Sequence, residues 1–187
     1  MSALASIGAA ASPPAFTLPA ALASKGFSLR AETEDDVPFL KALYASAREE
    51  ELAPVPWPPE QQAAFLAAQF SIQRAHYRNT MPNGQWSIIT HAGAPVGRIY
   101  LSRRGGRLGL VDISLGPAHR GQGLGTAILR ALLSHADSIG EPIGLYVERF
   151  NRALPLYLRL GFAVVAGGDV YLEMERPAGA EPQLNSA

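Results

Sequence analysis

The chain has 187 residues, 16 lysine and arginine side chains against 16 aspartate and glutamate side chains, and no cysteine. Its zero net charge argues against a nucleic-acid binder or a polybasic membrane-surface protein, because both need an excess of cations. The missing cysteines exclude disulfide scaffolds, thiolate metal sites and cysteine nucleophiles, and fit a cytoplasmic location. No apolar run approaches the roughly 20 residues of a membrane span, and the length fits one domain of roughly 150 residues with tails.

The beginning of the chain is rich in alanine, serine and proline and lacks the basic start of a secretory signal. We therefore interpret 1–25 as a disordered tail. Ordered structure is predicted from an alternating strand at Phe27–Arg30. Thr33 then precedes three acidic residues and is predicted to cap a helix over 34–50, whose apolar residues recur every three or four positions.

Prolines between 54 and 59 break the chain, and Pro59 suits the first turn of a second helix that ends near Arg78. The pattern then changes to strands separated by glycine turns, which predicts an antiparallel meander. The remaining predicted elements are strands at 86–91, 95–103 and 107–115, a helix at 121–138, a strand at 143–147, a helix at 154–160, and strands at 162–165 and 170–175. The order β-α-α-β-β-β-α-β-α-β-β predicts one α/β (α+β) domain over 26–176, followed by a disordered tail at 177–187.

A glycine-rich turn, Arg120–Thr126, joins the third meander strand to the following helix. A helix start exposes unpaired N–H groups, and small residues let an anion approach them, so this turn could hold a pyrophosphate. The alternative is a turn that only tightens the junction. It is not a P-loop, because Thr126 instead of lysine follows Gly125. It is not a dinucleotide fingerprint, because its glycine spacing differs and it follows an antiparallel meander.

Two motifs together resemble the GNAT superfamily of acetyl-CoA-dependent N-acetyltransferases. Arg120-Gly121-Gln122-Gly123-Leu124-Gly125 is similar to the family's Arg-x-x-Gly-x-Gly pyrophosphate turn. Tyr157-Leu158-Arg159-Leu160-Gly161-Phe162 is similar to its Tyr-x-x-x-Gly-Phe segment. The resemblance covers most of the chain and implies the GNAT fold, a mixed, twisted central sheet of about six or seven strands flanked by helices.

The resemblance also implies transfer of an acetyl group from acetyl-CoA to a primary amine, with a small molecule favoured over a peptide. The turn would hold the pyrophosphate, Arg120 would lie near the phosphates, and the backbone of Leu115 would hold the pantetheine arm. The residues expected to bind the cofactor are Leu115, Arg120, Gly121, Gln122, Gly123, Leu124, Gly125, Thr126 and Asn151. Asn151 stands one residue closer to Tyr157 than in the commonest form of the family, so a helix cap is its alternative role.

The resemblance places Tyr157 as the acid for the leaving thiolate, with plain core packing as the alternative. Asp112 is the first candidate for the base, because it is the only acid in the apolar strand before the turn, where a charge is costly unless paired or used. Pairing with Arg98 or Arg103 on the neighbouring strand is the alternative. Glu148 is the reserve candidate for the base, and a solvated strand end is its alternative.

The acceptor is expected between the first two helices. Acidic residues at the end of the first helix oppose its dipole and suggest recruitment of a cation, although a solvated helix end explains them equally. A polar stripe on the second helix could line a pocket or face solvent. The expected acceptor-binding residues are Arg48, Glu49, Glu51, Gln69, Gln73 and Tyr77. No metal is expected, because the four histidines, His76, His91, His119 and His135, show no ligand spacing.

Two other functions stay open. A non-catalytic acyl-CoA sensor would keep the cofactor turn without forming a product. A protein N-terminal or lysine acetyltransferase would present an open groove instead of a closed pocket. The oligomeric state also stays open, with a homodimer as one alternative.

Overall fold

The structure is a computed structural model that describes residues 15–180. Its helices are α1 Ala20–Ala23, α2 Val37–Leu52, α3 Pro59–Thr80, α4 Leu124–Ser138 and α5 Leu154–Arg159. Its strands are β1 Phe27–Ala31, β2 Gln85–His91, β3 Ala94–Arg104, β4 Arg107–Leu115, β5 Ile143–Glu148, β6 Ala163–Gly167 and β7 Tyr171–Arg176. Short 3-10 helices span Glu34–Asp36 and Pro117–His119. Apart from the added α1, this is the predicted order of elements.

The strands form one seven-stranded sheet in the order β1-β2-β3-β4-β5-β7-β6. β4 and β5 are parallel, and every other neighbouring pair is antiparallel. The prediction of a mixed central sheet flanked by helices is therefore confirmed. Among the described residues, no helix is both long and apolar enough to cross a membrane.

β4 and β5 pair over only part of their length. Leu108–Leu110 lies opposite Ile143–Leu145, whereas β4 continues to Leu115 and β5 to Glu148. β3 stays paired with β4 to the end of that strand, so the open side of β4 is the side that faces β5. Backbone N–H and C=O groups are obligatory hydrogen-bonding groups, so this open edge is a natural place for an extended ligand to bind.

A β-bulge begins the separation of the two strands. Leu101 lies opposite Leu110 but Tyr100 lies opposite Asp112, so Val111 is the extra residue. Bulges bend a strand and re-aim its side chains. Here the bulge places Asp112 on the face of the sheet that α2 and α3 cover.

Apolar clusters lie on both faces of the sheet, as the adjacent residues Ile88 and Ile89 show by belonging to different clusters. One cluster packs α4 and α5 against the sheet, and its fully buried members include Ile99, Ile128, Leu132 and Met174. The other packs α2 and α3 on the opposite face, with Leu40, Tyr44, Leu66, Phe70 and Ile88. The helices predicted to form the acceptor side therefore lie together over one face.

A buried carboxylate ties α3 to the sheet. The side chain of Glu32, directly after β1, is 1% exposed. It accepts hydrogen bonds from Arg74 at 3.2 Å and Arg78 at 2.7 Å, both on α3, and from the hydroxyl of Tyr100 on β3. A buried charge needs such partners, so this cluster fixes α3, with Gln73 and Tyr77, over β3.

The prediction of a disordered tail over 1–25 is wrong for residues 15–25. Phe16 is 2% exposed and Leu22 7% exposed, and both belong to the cluster beneath α4. The Gln85 side chain donates to the backbone oxygen of Phe16 and accepts from its N–H, both at 3.0 Å. The prediction rested on the alanine-rich composition of the segment, which does not reveal that Phe16 and Leu22 anchor it to the core. Residues 1–14 lie outside the described residues.

The start of the predicted tail 177–187 is likewise held to the domain. Asp137 on α4 accepts hydrogen bonds from Arg176 at 2.7 Å and 3.1 Å and from the Gly179 N–H at 2.7 Å. Arg176 also donates to the backbone oxygen of Ala180. Residues 181–187 lie outside the described residues.

Candidate active site

The glycine-rich turn presents a row of backbone donors. Gly121 and Gly123 have φ of +71° and +79°, a left-handed conformation that favours glycine. Gly123 is the N-cap of α4, and the first helical bond runs from the Ala127 N–H to Gly123 at 2.9 Å. Among the described residues, no hydrogen-bond acceptor is found for the N–H groups of 121–126. With no acid in the first turn of α4, these donors suit an anion.

Gly125 fits a close approach by a ligand. Its backbone needs no left-handed conformation, and a Cβ added there would lie 3.6 Å from Leu115 Cδ1, an ordinary contact. The fold alone therefore does not require glycine at this position. A Cβ on Gly121 or Gly123 would meet nothing within 4 Å, so the outer surface of the turn is open. The turn has the donors and the space that a pyrophosphate needs.

The end of β4 points a carbonyl toward the open edge. The Gly116 N–H donates to Val96 of β3 at 2.8 Å, so the Leu115 C=O, on the opposite side of the same peptide unit, faces away from β3. Arg120 Nε donates to this carbonyl at 2.7 Å. The same guanidinium donates to Ser46 of α2, to the backbone oxygen at 3.0 Å and to Oγ at 2.8 Å.

Asp112 forms a buried ion pair. Its carboxylate accepts from Arg98 Nε at 3.1 Å and Nη2 at 2.8 Å, and from the Ser114 hydroxyl at 2.9 Å. Arg98 is 3% exposed and also donates to Gln73 Oε1 at 3.0 Å. Burial alone would lower the pKa of Arg98. The charge of Asp112 and its hydrogen bond outweigh this effect, so the pKa of Arg98 is raised. Pairing with Arg98, the alternative left open by the sequence, is thus present, whereas Arg103 pairs with Glu141.

Tyr157 projects from α5 toward Asp112. Its ring packs edge-on against Phe162, with centroids 5.8 Å apart. Burial, and then the charge of Asp112, raise the pKa of Tyr157 to about 12. The hydroxyl has no hydrogen-bond partner among the described residues, and it is not fully sealed from solvent. It therefore stays protonated at neutral pH with a free proton to donate.

Three further tyrosines surround the same space. Tyr77 is partly buried, and burial followed by the charge of Asp112 raises its pKa to about 12. Tyr44 is buried beneath Arg48, whose guanidinium lies 4.6 Å from the ring centroid. Tyr171, paired opposite Glu148 at the end of β5, donates to its carboxylate at 3.3 Å. This last contact is long and exposed, so Glu148 is far less constrained than Asp112.

These side chains share one electrostatic environment, the acceptor cleft. Burial raises the pKa of Tyr44, while its neighbours Arg48 and Arg98 lower it and Glu51 and Glu148 raise it. The structure thus brings together most of the predicted site: Arg48, Glu51, Gln73, Tyr77, Asp112, Glu148 and Tyr157. Gln69 and Glu49 lie on the same helices, and within the described residues no side-chain hydrogen bond or ion pair joins either of them to this group.

Sequence reasoning missed three contributors to the cleft. Tyr44, Arg98 and Tyr171 are not among the site residues predicted from the sequence, where Arg98 is named only as a partner for Asp112. A buried arginine amid apolar strand residues was a signal for Arg98, whereas the two tyrosines gave none.

Asn151 forms hydrogen bonds within the turn before α5. Its side-chain oxygen accepts from the Ala153 N–H at 2.8 Å, and the Leu154 N–H donates to its backbone oxygen at 3.0 Å. These bonds form the turn that leads into α5, whose N-cap is Ala153. Asn151 therefore helps to position the helix that carries Tyr157.

An open groove of about 790 Å³ lies apart from the cleft, between residues 15–18 and the beginnings of β1 and β2. Its arginines are neutralised, since Arg30 binds Asp36 at 2.6 Å and Arg78 binds Glu32 at 2.7 Å. The residues that line it include none of the cleft residues. We therefore place the chemistry in the cleft and not in this groove.

The family model described as the acetyltransferase (GNAT) family matches residues 40–162, which span both the turn and the Tyr157 segment. The chain belongs to the GNAT family. The prediction of the GNAT fold and of GNAT membership is thereby confirmed. The sequence matches none of the curated proteins with which it was compared.

Solved structures show the same GNAT fold at low sequence identity. The Thermoplasma acidophilum PaiA N-acetyltransferase in complex with coenzyme A is 16% identical with a TM-score of 0.61, over 81% of this chain and 98% of that chain. An acetyltransferase from Thermus thermophilus is 20% identical with a TM-score of 0.58, over 81% and 96%. The Corynebacterium glutamicum histone acetyltransferase HPA2 and related acetyltransferase is 22% identical with a TM-score of 0.56, over 85% and 98%.

Proposed function

We propose that this GNAT protein transfers an acetyl group from acetyl-CoA to a primary amine of a small molecule. One juxtaposition carries the proposal. The open edge of β4 runs from the free donors of the turn to a space where the proton-bearing Tyr157 hydroxyl lies near Asp112. Acetyl-CoA needs an anion site for its pyrophosphate, an open strand edge for its pantetheine arm and a proton donor near its thioester sulfur.

The turn and the β4 edge would hold the cofactor. The N–H groups of 121–126 would bind the pyrophosphate, and the first turn of α4 has no acidic residue to repel it. The Leu115 carbonyl would accept a hydrogen bond from the pantetheine arm. When bound, acetyl-CoA supplies the acetyl group as an activated thioester.

Glu148 is the better placed base. An alkyl amine with a pKa near 10.4 is only about one part in 10³ neutral at pH 7, so a proton acceptor is needed. Both oxygens of Asp112 already accept bonds from Arg98, whereas Glu148 receives one long bond from Tyr171. These contacts support Glu148 ahead of Asp112 as the base. Asp112 would instead hold Arg98 and Gln73 in place at the floor of the cleft.

Tyr157 would donate its proton toward the sulfur of the leaving group. Its pKa of about 12 exceeds the roughly 8.5 of an ordinary thiol, so complete proton transfer is unfavourable. A hydrogen bond to the developing negative charge still lowers the barrier, because the donor is already positioned and partly desolvated. Tyr157 thus acts mainly as a fixed hydrogen-bond donor.

Aromatic side chains beside the cleft support a small-molecule acceptor. Tyr44 and Tyr77 lie on the helices, and Tyr171 lies on the β7 side with 52% of its surface exposed. Arg48 and Glu51 lie near the same space and bring both signs of charge to it. This composition favours a compact polar amine.

Calorimetric titration of the purified protein with acetyl-CoA tests the cofactor assignment, with NAD and ATP as controls. Selective binding of acetyl-CoA is expected. Release of free CoA thiol is then measured with diamines, amino acids, amino sugars and a peptide with a free N-terminus. Thiol release with a small amine supports the proposal. Binding without turnover would indicate the sensor, turnover with the peptide alone would indicate a protein acetyltransferase, and no binding would reject the cofactor site.

A further inference from the structure

The Arg120 guanidinium bridges the two sides of the active site. Nε donates to the Leu115 carbonyl at 2.7 Å, Nη1 to the Ser46 carbonyl at 3.0 Å and Nη2 to Ser46 Oγ at 2.8 Å. Leu115 ends the strand along which the cofactor is proposed to lie. Ser46 belongs to α2, the helix of the acceptor cleft. One planar, charged side chain therefore fastens β4 to α2.

The α2 end of this bridge lies between two cleft residues. Tyr44 and Arg48 each stand two positions from Ser46 on α2. Ser46 Oγ also donates to the Leu43 carbonyl at 2.8 Å, so the hydroxyl that receives Arg120 is itself fixed by the helix. The guanidinium therefore binds the same segment of α2 that carries Tyr44 and Arg48.

The other end of the bridge is attached to the flexible part of the cofactor turn. Arg120 is directly followed by Gly121, and Gly121 and Gly123 both have positive φ. Glycine loses more conformational freedom on ordering than any other residue, so an unliganded turn of this kind is easily displaced. An anion held by the N–H groups of 121–126 would immobilise the turn and, with it, the backbone that carries Arg120.

We propose that Arg120 is a positioning residue that couples the cofactor turn to α2, so that acetyl-CoA binding orders the acceptor side of the cleft. This rests on the proposed function, since it takes acetyl-CoA as the ligand of the turn. It gives Arg120 a role beyond proximity to phosphate. The guanidinium uses three donors on Leu115 and Ser46, and the coupling acts through those three bonds.

Hydrogen–deuterium exchange of the full chain tests this coupling, with acetyl-CoA as the probe. In the wild-type protein, acetyl-CoA is expected to slow exchange in α2 around residues 43–52. Arg120→Ala removes all three bonds, so it is expected to speed α2 exchange without ligand by about tenfold and to abolish the response to acetyl-CoA. Ser46→Ala removes the Nη2 bond and keeps the Nη1 bond to the Ser46 carbonyl, so it is expected to change α2 exchange in the same direction by a smaller factor and to weaken the response. Because Arg120→Ala already lacks the Nη2 bond, the two effects should be less than additive in the double variant.

Two matched variants separate coupling from general loosening. Ser71 on α3 donates to the Ala67 carbonyl at 2.9 Å, so Ser71→Ala removes a similar helix bond without touching Arg120. Arg130→Ala removes an exposed arginine from α4. Both are expected to keep the α2 response. Arg120→Lys, which keeps the charge but not the planar fork, is expected to restore little of it.

Each outcome decides the proposal. It is overturned if Ser46→Ala and Arg120→Ala leave α2 exchange unchanged, if acetyl-CoA speeds α2 exchange in the wild-type protein, or if Arg120→Ala only weakens acetyl-CoA binding while the α2 response persists. That last pattern would make Arg120 a phosphate ligand. If the wild-type protein binds no acetyl-CoA, the proposed function fails. Faster α2 exchange in both unliganded variants would still show the bridge in that case.

Discussion

The cofactor turn and the acceptor cleft are built in different ways. The turn takes its binding groups from consecutive residues, 121–126, and those groups are backbone N–H. The cleft takes Tyr44 from α2, Tyr77 from α3, Asp112 from β4 and Glu148 from β5, and its groups are side chains. Only the packing of both helices on the sheet brings those side chains together.

This difference predicts how each region responds to substitution. Side chains added to the turn should act directly on cofactor affinity, because the turn needs little from the rest of the fold. Substitutions of those cleft residues that also hold elements in place should affect folding and turnover together. Arg98, which binds both Asp112 and Gln73, is such a residue.

Gly125→Glu should give the largest effect, a loss of acetyl-CoA affinity, and it tests whether the turn acts independently of the cleft. The carboxylate would fill the open surface of the turn and repel a pyrophosphate, so acetyl-CoA affinity should fall by about a thousandfold or more. Calorimetric titration measures this loss, and the unfolding midpoint should stay near that of the wild-type protein. Gly168→Glu, in an open loop away from the turn, is the control. Undiminished affinity in Gly125→Glu would remove the turn from the cofactor site.

Asp112→Asn should lower the free energy of unfolding by about 3 kcal/mol, because buried Arg98 would lose its counter-charge. Urea denaturation measures the difference. The double variant Arg98→Met/Asp112→Leu should recover much of the loss, since it leaves no unpaired charge. A stable Asp112→Asn protein with abolished turnover would instead support Asp112 as the base.

Glu148→Gln should lower turnover by about a hundredfold while leaving the unfolding free energy unchanged. The physical reason is that the amide of glutamine cannot accept the proton that the Glu148 carboxylate, with its one long hydrogen bond, is proposed to take. Thiol release with an amine found in the acceptor screen measures turnover. Glu173→Gln, on the adjacent strand and paired with Arg107, is the matched control. If Glu148→Gln retains full activity, the base lies elsewhere.

Tyr157→Phe should lower turnover by about tenfold, with acetyl-CoA affinity changed by less than about twofold. The substitution removes the unpartnered hydroxyl and keeps the ring that packs on Phe162. The same thiol assay and titration separate the two quantities. Tyr146→Phe, at an exposed position of β5, should change neither. Equal losses of affinity and turnover would assign Tyr157 to binding.

Asp36→Asn should give the smallest effect, about 1 kcal/mol of unfolding free energy at pH 7. Arg30 and Thr33 hold the pKa of Asp36 at about 2 in the folded protein, below its ordinary value. The stabilisation is therefore present above about pH 4 and is lost as the pH falls toward 2. Denaturation of both proteins at pH 7 and pH 3 should show the difference shrinking. A constant difference would mean that Asp36 stabilises the start of α2 without its charge.

The backbone geometry of the glycine-rich turn was largely predictable, because it depends on neighbouring residues. The glycines at 121 and 123 indicate a left-handed backbone. The absence of acidic residues from the turn up to Asp137 indicates that an anion would not be repelled there. The termini were predicted less well. Two buried residues, Phe16 and Leu22, pack an alanine-rich segment against the core. The average composition of a segment does not show whether individual apolar residues are buried.

The order of elements and the place of the glycine-rich turn were readable from the sequence, since helix and strand periodicity and glycine conformation depend on neighbouring residues. The mixed sheet was implied by the resemblance to the GNAT family. Only the tertiary structure decided which carboxylate is free. Asp112 and Glu148 are similar as sequence positions, but a bulge at Val111 turns Asp112 onto buried Arg98, while the separation of β4 from β5 leaves Glu148 with one long contact. The physical reason is that a carboxylate's availability depends on partners contributed by distant strands.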